Sequence, residues 1–435
     1  MSALKFFLGT LIAFCFYLEA NAQIVLKDAK DAPIPIAIQS FMKAQETPES
    51  SQIATDIEAV LTGDLIFSRI FRVIPAEAFL EPKIQGPIES LNVTSWRQVG
   101  AYFVVRGRVS VEGNQVTLDG LAFNISTGKM DLKKTYKIRK SEARKLAHMF
   151  GDDLVEMITG KRGIFSTEIA FVYMPPKKRQ KEIWVMDFNG ANARPVVQNG
   201  RSNISPEWSI DGKYIYYTSS SNIDWHLWRT TLDGKQSQLT KFKGSALGPA
   251  MLANGKELVV TLSKDGNPDL YLLDLEGRVK RRLTQKRGIN IAPSPSPDGK
   301  TVCFASDRFG NLHIFMLNVE TGEAERMTRV GTLNDSCAWN PVEDVVLFSG
   351  MDVDREFDIF AMNSSGNNME RLTYDAKNNE SPSWSPDGKL IVFSSRRDGR
   401  NVLYVMRNDG TQTSQLIELP GDATQPAWSP RLGYR

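Results

Sequence analysis

Residues 381–410 read SPSWSPDGKLIVFSSRRDGRNVLYVMRNDG, and this stretch decides the fold. It consists of short, alternating, β-branched segments separated by Asp-Gly pairs, which allow the positive φ angles of tight hairpin turns. The segments predict strands at 382–384, 390–394 and 402–406, and a fourth strand follows at 414–417. The stretch therefore encodes one four-stranded antiparallel sheet.

This unit recurs through the second half of the chain at intervals of about 44 residues. Turn pairs mark its register at Asp211-Gly212, Asn254-Gly255, Asp298-Gly299 and Asp387-Gly388. One repeat carries Glu343-Asp344 instead of the glycine turn. A second marker, a Leu-Thr or Met-Thr pair, begins at residues 239, 283, 327 and 372. A four-stranded unit with a period of roughly 40–45 residues is typical of a β-propeller.

The two ends of the repeat region are fragments of one blade. Residues 167–198 contain a second, a third and a fourth strand but no first strand. The segment 425–430, QPAWSP, has the pattern of a first strand with nothing after it. We therefore predict a six-bladed propeller at 166–435, closed non-covalently by its C-terminal strand, which also covers exposed strand edges.

The N-terminal region has no such period. Apolar spacing predicts helices at 51–71 and 141–159, with Ser141 as the N-cap of the second. Alternating segments predict strands at 34–38, 101–111, 115–124 and 130–138. The predicted fold class is thus an α/β N-terminal domain at 23–160, followed by the all-β six-bladed β-propeller.

The first 22 residues have the pattern of a secretory signal peptide. Lys5 precedes an apolar run at 6–18, and Ala20-Asn21-Ala22 supplies the small residues that a signal peptidase requires. We expect cleavage between Ala22 and Gln23. The run is shorter than the ~20 residues that span a bilayer, so we expect a soluble, exported mature protein.

Charge and residue counts exclude several function classes. The net charge of +3 comes from 53 basic and 50 acidic residues, a balance that disfavours nucleic acid as the main partner. The histidines at 148, 226 and 313 are dispersed, which disfavours a metal site. Cys303 and Cys337 lie in strand segments of neighbouring repeats. They could form a single disulfide or remain two buried thiols.

The junction at 158–172, ITGKRGIFSTEIAFV, adds specificity to this layout. Together with the closing QPAWSP and the domain order, it resembles the TolB family of periplasmic Tol-Pal components. The resemblance implies a monomeric, non-enzymatic interaction protein without cofactor or metal, peripheral to membranes and not inserted in them. It further implies binding of the peptidoglycan-associated lipoprotein Pal by the propeller and of a TolA-like inner-membrane protein by the N-terminal tail. The implied role is outer-membrane integrity and cell division.

The loops that enter the innermost strands are the predicted binding surface, because they open at one mouth of the central channel. Amide, hydroxyl and apolar side chains there could hold a partner segment, although turns alone also favour Asn and Ser. The resemblance agrees, since the family binds Pal at this mouth. The predicted residues are Asn203, Ser245, Leu247, Ile289, Asn290, Leu333, Asn334, Asp335, Asn379, Glu380 and Thr424.

The N-terminal tail is a second predicted binding segment. Ile24, Val25 and Leu26 form a short apolar patch that could pair as an edge strand with a partner sheet. An ordinary edge strand of the tail's own domain is the alternative.

Enzymatic alternatives lack their sequence features. Serine hydrolases with such propellers need a G-x-S-x-G elbow and a further α/β domain, and we find neither. Metal-dependent propeller lyases need clustered ligands. An exported propeller with another specificity, for a glycan or a peptide, stays open, and recovery of Pal from envelope extract would discriminate against it.

Overall fold

The computed structural model describes residues 32–433, except 222, 286–287, 352–354 and 375. The predicted signal peptide, its cleavage site at Ala22 and Gln23, and the tail patch at 24–26 lie outside the described residues.

The N-terminal domain is a mixed sheet with helices. Its strands run β3-β1-β4-β5-β6, and β2 pairs with β4. β1 is parallel to both neighbours, whereas β4, β5 and β6 are antiparallel. The bounds are β1 Ile34–Ile38, β2 Met42–Lys43, α1 Pro48–Ser68, β3 Phe71–Val73, α2 Val93–Gln98, β4 Phe103–Glu112, β5 Gln115–Asn124, β6 Lys129–Arg139 and α3 Arg144–Thr159, with 3₁₀ turns at Ala76–Ala78 and Lys140–Glu142.

Two helix ends differ from the sequence prediction. The first helix ends at Ser68 because Arg69 takes a left-handed conformation (φ 57°), and the chain then enters β3. Ser141 is not an N-cap. It lies in a 3₁₀ turn, and α3 begins after Ala143 without a side-chain cap. The short helix α2 was not predicted, because six residues are too few to show a helical period.

The propeller prediction is confirmed, with six four-stranded sheets. We number the blades from the one that contains both chain ends of the ring. Blade 1 consists of β7 Glu168–Met174, β8 Glu182–Asp187, β9 Arg194–Val197 and β30 Asp422–Trp428. Blade 2 consists of β10 Asn203–Trp208, β11 Tyr214–Ser220, β12 Trp225–Thr231 and β13 Gln236–Gln238. Blade 3 consists of β14 Ala246–Met251, β15 Glu257–Leu262, β16 Asp269–Asp274 and β17 Val279–Arg282. Blade 4 consists of β18 Asn290–Pro295, β19 Thr301–Ser306, β20 His313–Asn318 and β21 Ala324–Arg326. Blade 5 consists of β22 Leu333–Trp339, β23 Val346–Met351, β24 Phe357–Met362 and β25 Glu370–Arg371. Blade 6 consists of β26 Asn379–Trp384, β27 Leu390–Ser395, β28 Val402–Arg407 and β29 Ser414–Gln415.

The ring closes through β30, which pairs with β7 as the innermost strand of blade 1. Trp428 is 7% exposed, and its Nε1 donates to Thr167 Oγ1 at 2.9 Å. The backbone N–H of Ser429 donates to the Glu168 carbonyl at 2.8 Å. Each innermost strand also contacts the innermost strands of both neighbouring blades, so the six of them surround the central channel.

Blades 4 and 5 are linked covalently. Cys303 on β19 and Cys337 on β22 form a disulfide, with Cα atoms 6.3 Å apart. Of the two alternatives that the sequence left open, the bridge is therefore the one observed.

The two ends of the propeller differ in their connections. The start of each innermost strand lies beside the end of the second strand, as in the pair Asn203 and Ser219. The loops between blades and the loops between second and third strands therefore share one end, which we call the loop face. The tight turns between first and second strands and between third and fourth strands form the opposite end, the turn face.

Candidate functional site

Every innermost strand carries the same irregularity where it lines the channel. Its register shifts by a bulge, and the residue at the bulge has a φ between 49° and 56°. Bulges of this kind re-aim the neighbouring side chains. Adjacent strands are tied there, since the Ser205 N–H donates to Gln425 Oε1 at 2.9 Å. The six residues are Ser205, Gly248, Ala292, Ser336, Ser381 and Gln425.

Four of the predicted binding residues are buried asparagines. Asn203, Asn290, Asn334 and Asn379 are each at most 3% exposed. Their Nδ2 groups donate to the preceding blade: Asn290 to Asp269 Oδ1 at 2.8 Å, and Asn379 to Asp358 Oδ1 at 2.9 Å. Asn203 donates to the Lys181 carbonyl, and Asn334 contacts His313 Nδ1. These amides stand at the start of the strands, but their Nδ2 groups are already engaged with the preceding blade.

The other predicted residues are accessible at the loop face. Ile289 is 40% exposed. The remaining residues are partly exposed: Ser245, Leu247, Leu333, Asp335, Glu380 and Thr424. The Ser245 hydroxyl already accepts the Trp225 N–H at 3.3 Å. The structure thus separates an accessible group from the buried asparagines, a division that spacing alone does not reveal.

Three carboxyl groups lie within two residues of a bulge on an innermost strand, and we call them the channel acids: Glu207, Asp335 and Glu380. Burial raises the pKa of Glu207 to about 7, although its carboxylate accepts the Met251 N–H at 3.0 Å. Burial also raises the pKa of Asp335 and of Glu380, and the charge of Asp335 adds to the effect on Glu380. Glu207 was not predicted, because it lies beyond the loop that enters its strand.

Two equivalent arginines on the loop face were also missed. Arg308 lies 4.6 Å from the ring centre of Phe315, and Arg397 lies 4.1 Å from that of Tyr404. In each case Nε donates to the serine that ends the second strand, at 3.0 Å. The recurrence of Ser-x-Arg at 306–308 and 395–397, two repeats apart, is the sequence signal that could have indicated them.

The N-terminal domain rests on the turn face through a buried charged network. His148 on α3 contacts Asp64 Oδ2 with Nδ1 at 2.6 Å and Asp187 Oδ2 with Nε2 at 3.5 Å. Arg144 Nε pairs with Asp187 at 2.6 Å, and Asn189 donates to Asp64. Burial opposes the charge on His148, but Asp187 and Asp64 outweigh it and raise the pKa of His148 to about 9.

Among the described residues, the N-terminal domain contacts the propeller on the turn face and not on the loop face. Its contacts fall on blades 1 and 6, where Arg69 donates to the Gln412 carbonyl at 3.1 Å and Arg431 Nε donates to the Gly163 carbonyl at 3.1 Å. Within the described ranges no helix is long and apolar enough to cross a membrane. The same residues contain no cluster of His, Cys, Asp and Glu that could hold a metal ion.

Comparisons with known proteins give a consistent result. Residues 155–432 match the family described as the TolB beta propeller domain, and residues 22–129 match the TolB amino-terminal domain. The chain is 36% identical to the Tol-Pal system protein TolB of Desulfosudis oleivorans over 252 residues, which are 58% of this chain and 57% of that protein. It is 35% identical to the TolB homolog of Chlorobium chlorochromatii over 60% of this chain and 58% of the relative. The chain thus spans a little over half the length of these relatives.

A solved structure extends the similarity to almost the whole chain. The crystal structure of TolB from Acinetobacter baumannii superposes with a TM-score of 0.77 at 25% identity. The match covers 92% of this chain and 97% of the other.

Proposed function

Since the chain belongs to the TolB family, we propose that it acts as a non-enzymatic periplasmic interaction protein of the Tol-Pal system. Its role would be to bind the lipoprotein Pal with the loop face and a TolA-like inner-membrane protein with the N-terminal tail. These contacts would support outer-membrane integrity and cell division.

One observation carries the proposal for the propeller. The N-terminal domain sits on the turn face, whereas the loop face presents a channel mouth that contains apolar, hydroxyl and carboxyl side chains. Ile289 is exposed, Thr424 and Leu247 are partly exposed, and the bulges hold the neighbouring backbone in a fixed arrangement. An apolar anchor among fixed polar groups is the usual composition of an interface hot spot.

Titration calorimetry of the mature protein with the soluble domain of Pal tests this assignment. We expect Ile289→Ala and Leu247→Ala each to weaken binding by more than ~1 kcal/mol, with an unchanged melting temperature. Val342→Ala is the matched control, because Val342 is 61% exposed on the turn face. If Val342→Ala weakens binding and the loop-face variants do not, the binding face is wrong.

The proposal for the tail rests on the family and on the exposed residues that precede β1. Ala32 and Pro33 are exposed, and the Ile34 N–H bonds to the Ile70 carbonyl beside the contact of Arg69 with blade 6. A variant that lacks residues 23–31 should lose binding to the periplasmic domain of the TolA-like protein and keep its melting temperature. Retained binding would contradict the tail assignment.

Localisation is testable separately. We expect the protein in the periplasmic fraction, with a mass that corresponds to a start at Gln23. A retained N-terminus in the membrane pellet would contradict the predicted cleavage.

A further inference from the structure

The two faces of the propeller differ in charge. On the loop face, residues 175–181 contain four Lys or Arg and no acidic residue, and residues 241–245 contain two and none. Residues 396–401 add three arginines against one aspartate. On the turn face, residues 319–323 and 340–345 each contain two acidic residues and no basic one. These basic loops favour an acidic partner, whereas the two acidic loops of the turn face do not.

Arg308 is held at the loop face by three contacts. Its guanidinium lies over Phe315, Nε donates to Ser306 Oγ at 3.0 Å, and Nη2 donates to Asn290 Oδ1 at 2.7 Å. Burial lowers the pKa of Arg308, and the charge of Asp269 only partly offsets this. A guanidinium held in one plane loses little further entropy when it binds a carboxylate.

Among the residues that the structure describes, Arg308 forms no ion pair, and the nearby Asp269 is paired with Arg282. Arg282 and Arg371, which end the fourth strands of blades 3 and 5, differ because they pair with Asp269 and Asp358. Beside Arg308, Phe309 is 69% exposed and stacks on Phe315, with ring centres 6.1 Å apart. Ile289 lies on the preceding loop, and its N–H donates to Asp307 Oδ1 at 2.6 Å. The partly buried Arg308 and the exposed Phe309 and Ile289 thus lie on adjoining loops, and we call these three residues the patch.

We propose that this patch receives an acidic segment of the protein partner, with a carboxylate bound by Arg308 and an adjacent apolar side chain packed on Phe309 and Ile289. The inference rests on the proposed function, since it concerns the same face. A protein is favoured over an anionic lipid surface because the guanidinium is locked against Phe315, Ser306 and Asn290, a geometry that suits a planar bidentate acceptor.

Arg397 provides a matched comparison. It has the same stacking and the same bond to serine, but Asp398 occupies the place that Phe309 holds in blade 4, and the Tyr404 hydroxyl donates to that carboxylate. The carboxylate next to Arg308, that of Asp307, accepts the Ile289 N–H, whereas Asp398 stands in the place of the apolar Phe309, so blade 6 lacks the apolar contact of blade 4. Loss of Arg397 should therefore cost as much stability as loss of Arg308 but much less binding.

The test measures the affinity of the soluble domain of Pal for the wild type and for Arg308→Gln, Arg308→Lys, Phe309→Ala and Arg397→Gln, at 50 and 300 mM salt. Lys300→Gln on the turn face of blade 4 controls for simple loss of charge. We expect roughly tenfold weaker binding for Arg308→Gln, a smaller loss for Arg308→Lys, and near-wild-type binding for Arg397→Gln and Lys300→Gln. Wild-type binding should weaken with salt more steeply than that of Arg308→Gln.

The outcomes distinguish failure of the Arg308 contact from failure of the proposed function. Wild-type affinity of Arg308→Gln, or equal losses for Arg308→Gln and Arg397→Gln, would overturn the carboxylate contact and leave the proposed function intact. Failure of the wild type to bind Pal at either salt concentration would overturn both. Vesicles of phosphatidylglycerol and phosphatidylethanolamine form a further arm. If they bind the wild type in an Arg308-dependent way, the face recognises lipid and the protein segment is the wrong ligand.

Discussion

The junction between blades 4 and 5 and the junction between blades 5 and 6 are held together by different contacts. At the 5–6 junction, Asp358 accepts hydrogen bonds from Thr373 Oγ1 at 2.6 Å and Asn379 Nδ2 at 2.9 Å, and it pairs with Arg371. At the 4–5 junction His313 takes the place of the aspartate, and its contacts to Thr328 and Asn334 lengthen to 3.3 and 3.2 Å.

The weaker junction is also the one that carries the disulfide. Burial and the charge of Arg326 lower the pKa of His313, so the ring is neutral near pH 7 and forms no ion pair there. Cys303 and Cys337 join the same two blades covalently. A repeat can therefore lose a charged contact between blades where another link holds the same two blades together. Sequence divergence at one junction then does not open the ring.

The largest effect is expected at the third kind of junction, where the ring closes. Deletion of residues 422–433 removes β30, its pairing with β7 and the buried Trp428. Trp428→Ala alone should lower the free energy of unfolding by about 3–5 kcal/mol. The deletion should lower it by more than the whole stability of a typical domain. Circular dichroism of the deletion variant should show loss of the cooperative melt. An unchanged melting curve would show that the ring is not closed this way.

The disulfide should rank next. It closes a segment with a sequence separation of 34 residues, for which chain entropy gives about 3–4 kcal/mol. The double variant Cys303→Ala/Cys337→Ala should unfold at lower urea concentration by that amount. Reductant should lower the stability of the wild type similarly and leave the variant unchanged. Equal stability of the two proteins would mean that the 4–5 junction does not depend on the bridge.

His148 links the N-terminal domain to blade 1, and its contribution to the free energy of unfolding should depend on pH. Because the folded-state pKa is raised to about 9, the stabilisation is complete below about pH 6.5 and is lost as the pH rises through 9. It amounts to up to about 3 kcal/mol. Urea unfolding of wild type and His148→Gln should therefore differ at pH 7 and converge near pH 10. A difference that does not change with pH would contradict the charged network.

Substitution of Asp358 and of His313 compares the stability that the two interblade contacts contribute. Asp358→Asn removes the charge opposite Arg371, which is partly exposed, so we expect a loss of about 2 kcal/mol, below the range for fully buried pairs. His313→Asn at the 4–5 junction removes only neutral hydrogen bonds and should cost about 1 kcal/mol. Equal losses in thermal unfolding would show that the charge at the 5–6 junction adds nothing.

The smallest effect concerns the bulges. Ala292 has a φ of 51°, whereas the equivalent position in blade 3 is Gly248 with a φ of 55°. Ala292→Gly should raise the stability of blade 4 by about 1 kcal/mol, because glycine takes this conformation without strain. A lowered melting temperature would mean that the alanine methyl group contributes packing that outweighs the strain.

Sequence periodicity predicted the repeated part of the molecule well, because turn chemistry and strand alternation are local properties. The closing strand was predicted from QPAWSP and observed at Asp422–Trp428. Long-range partners were not predictable in the same way. The loop pattern predicts Asn290 and Asn379 as residues that could bind a partner segment, whereas their hydrogen bonds to Asp269 and Asp358 depend on the position of the neighbouring blade, which the sequence does not show. Arg308 was missed for the same reason, since its stacking partner lies on another strand.

The closing strand also sets an order in time. Trp428 and Thr167, which share a hydrogen bond, are 261 residues apart, so blade 1 begins early in synthesis and receives its innermost strand last. Until then β7 has an open edge, and Asp187, on which the N-terminal domain rests, belongs to an unfinished sheet. Ring closure therefore completes the blade that the N-terminal domain contacts. Before β30 is in place, neither the channel nor the surface that the N-terminal domain contacts would be complete. Partner binding would therefore begin only after the last blade has formed.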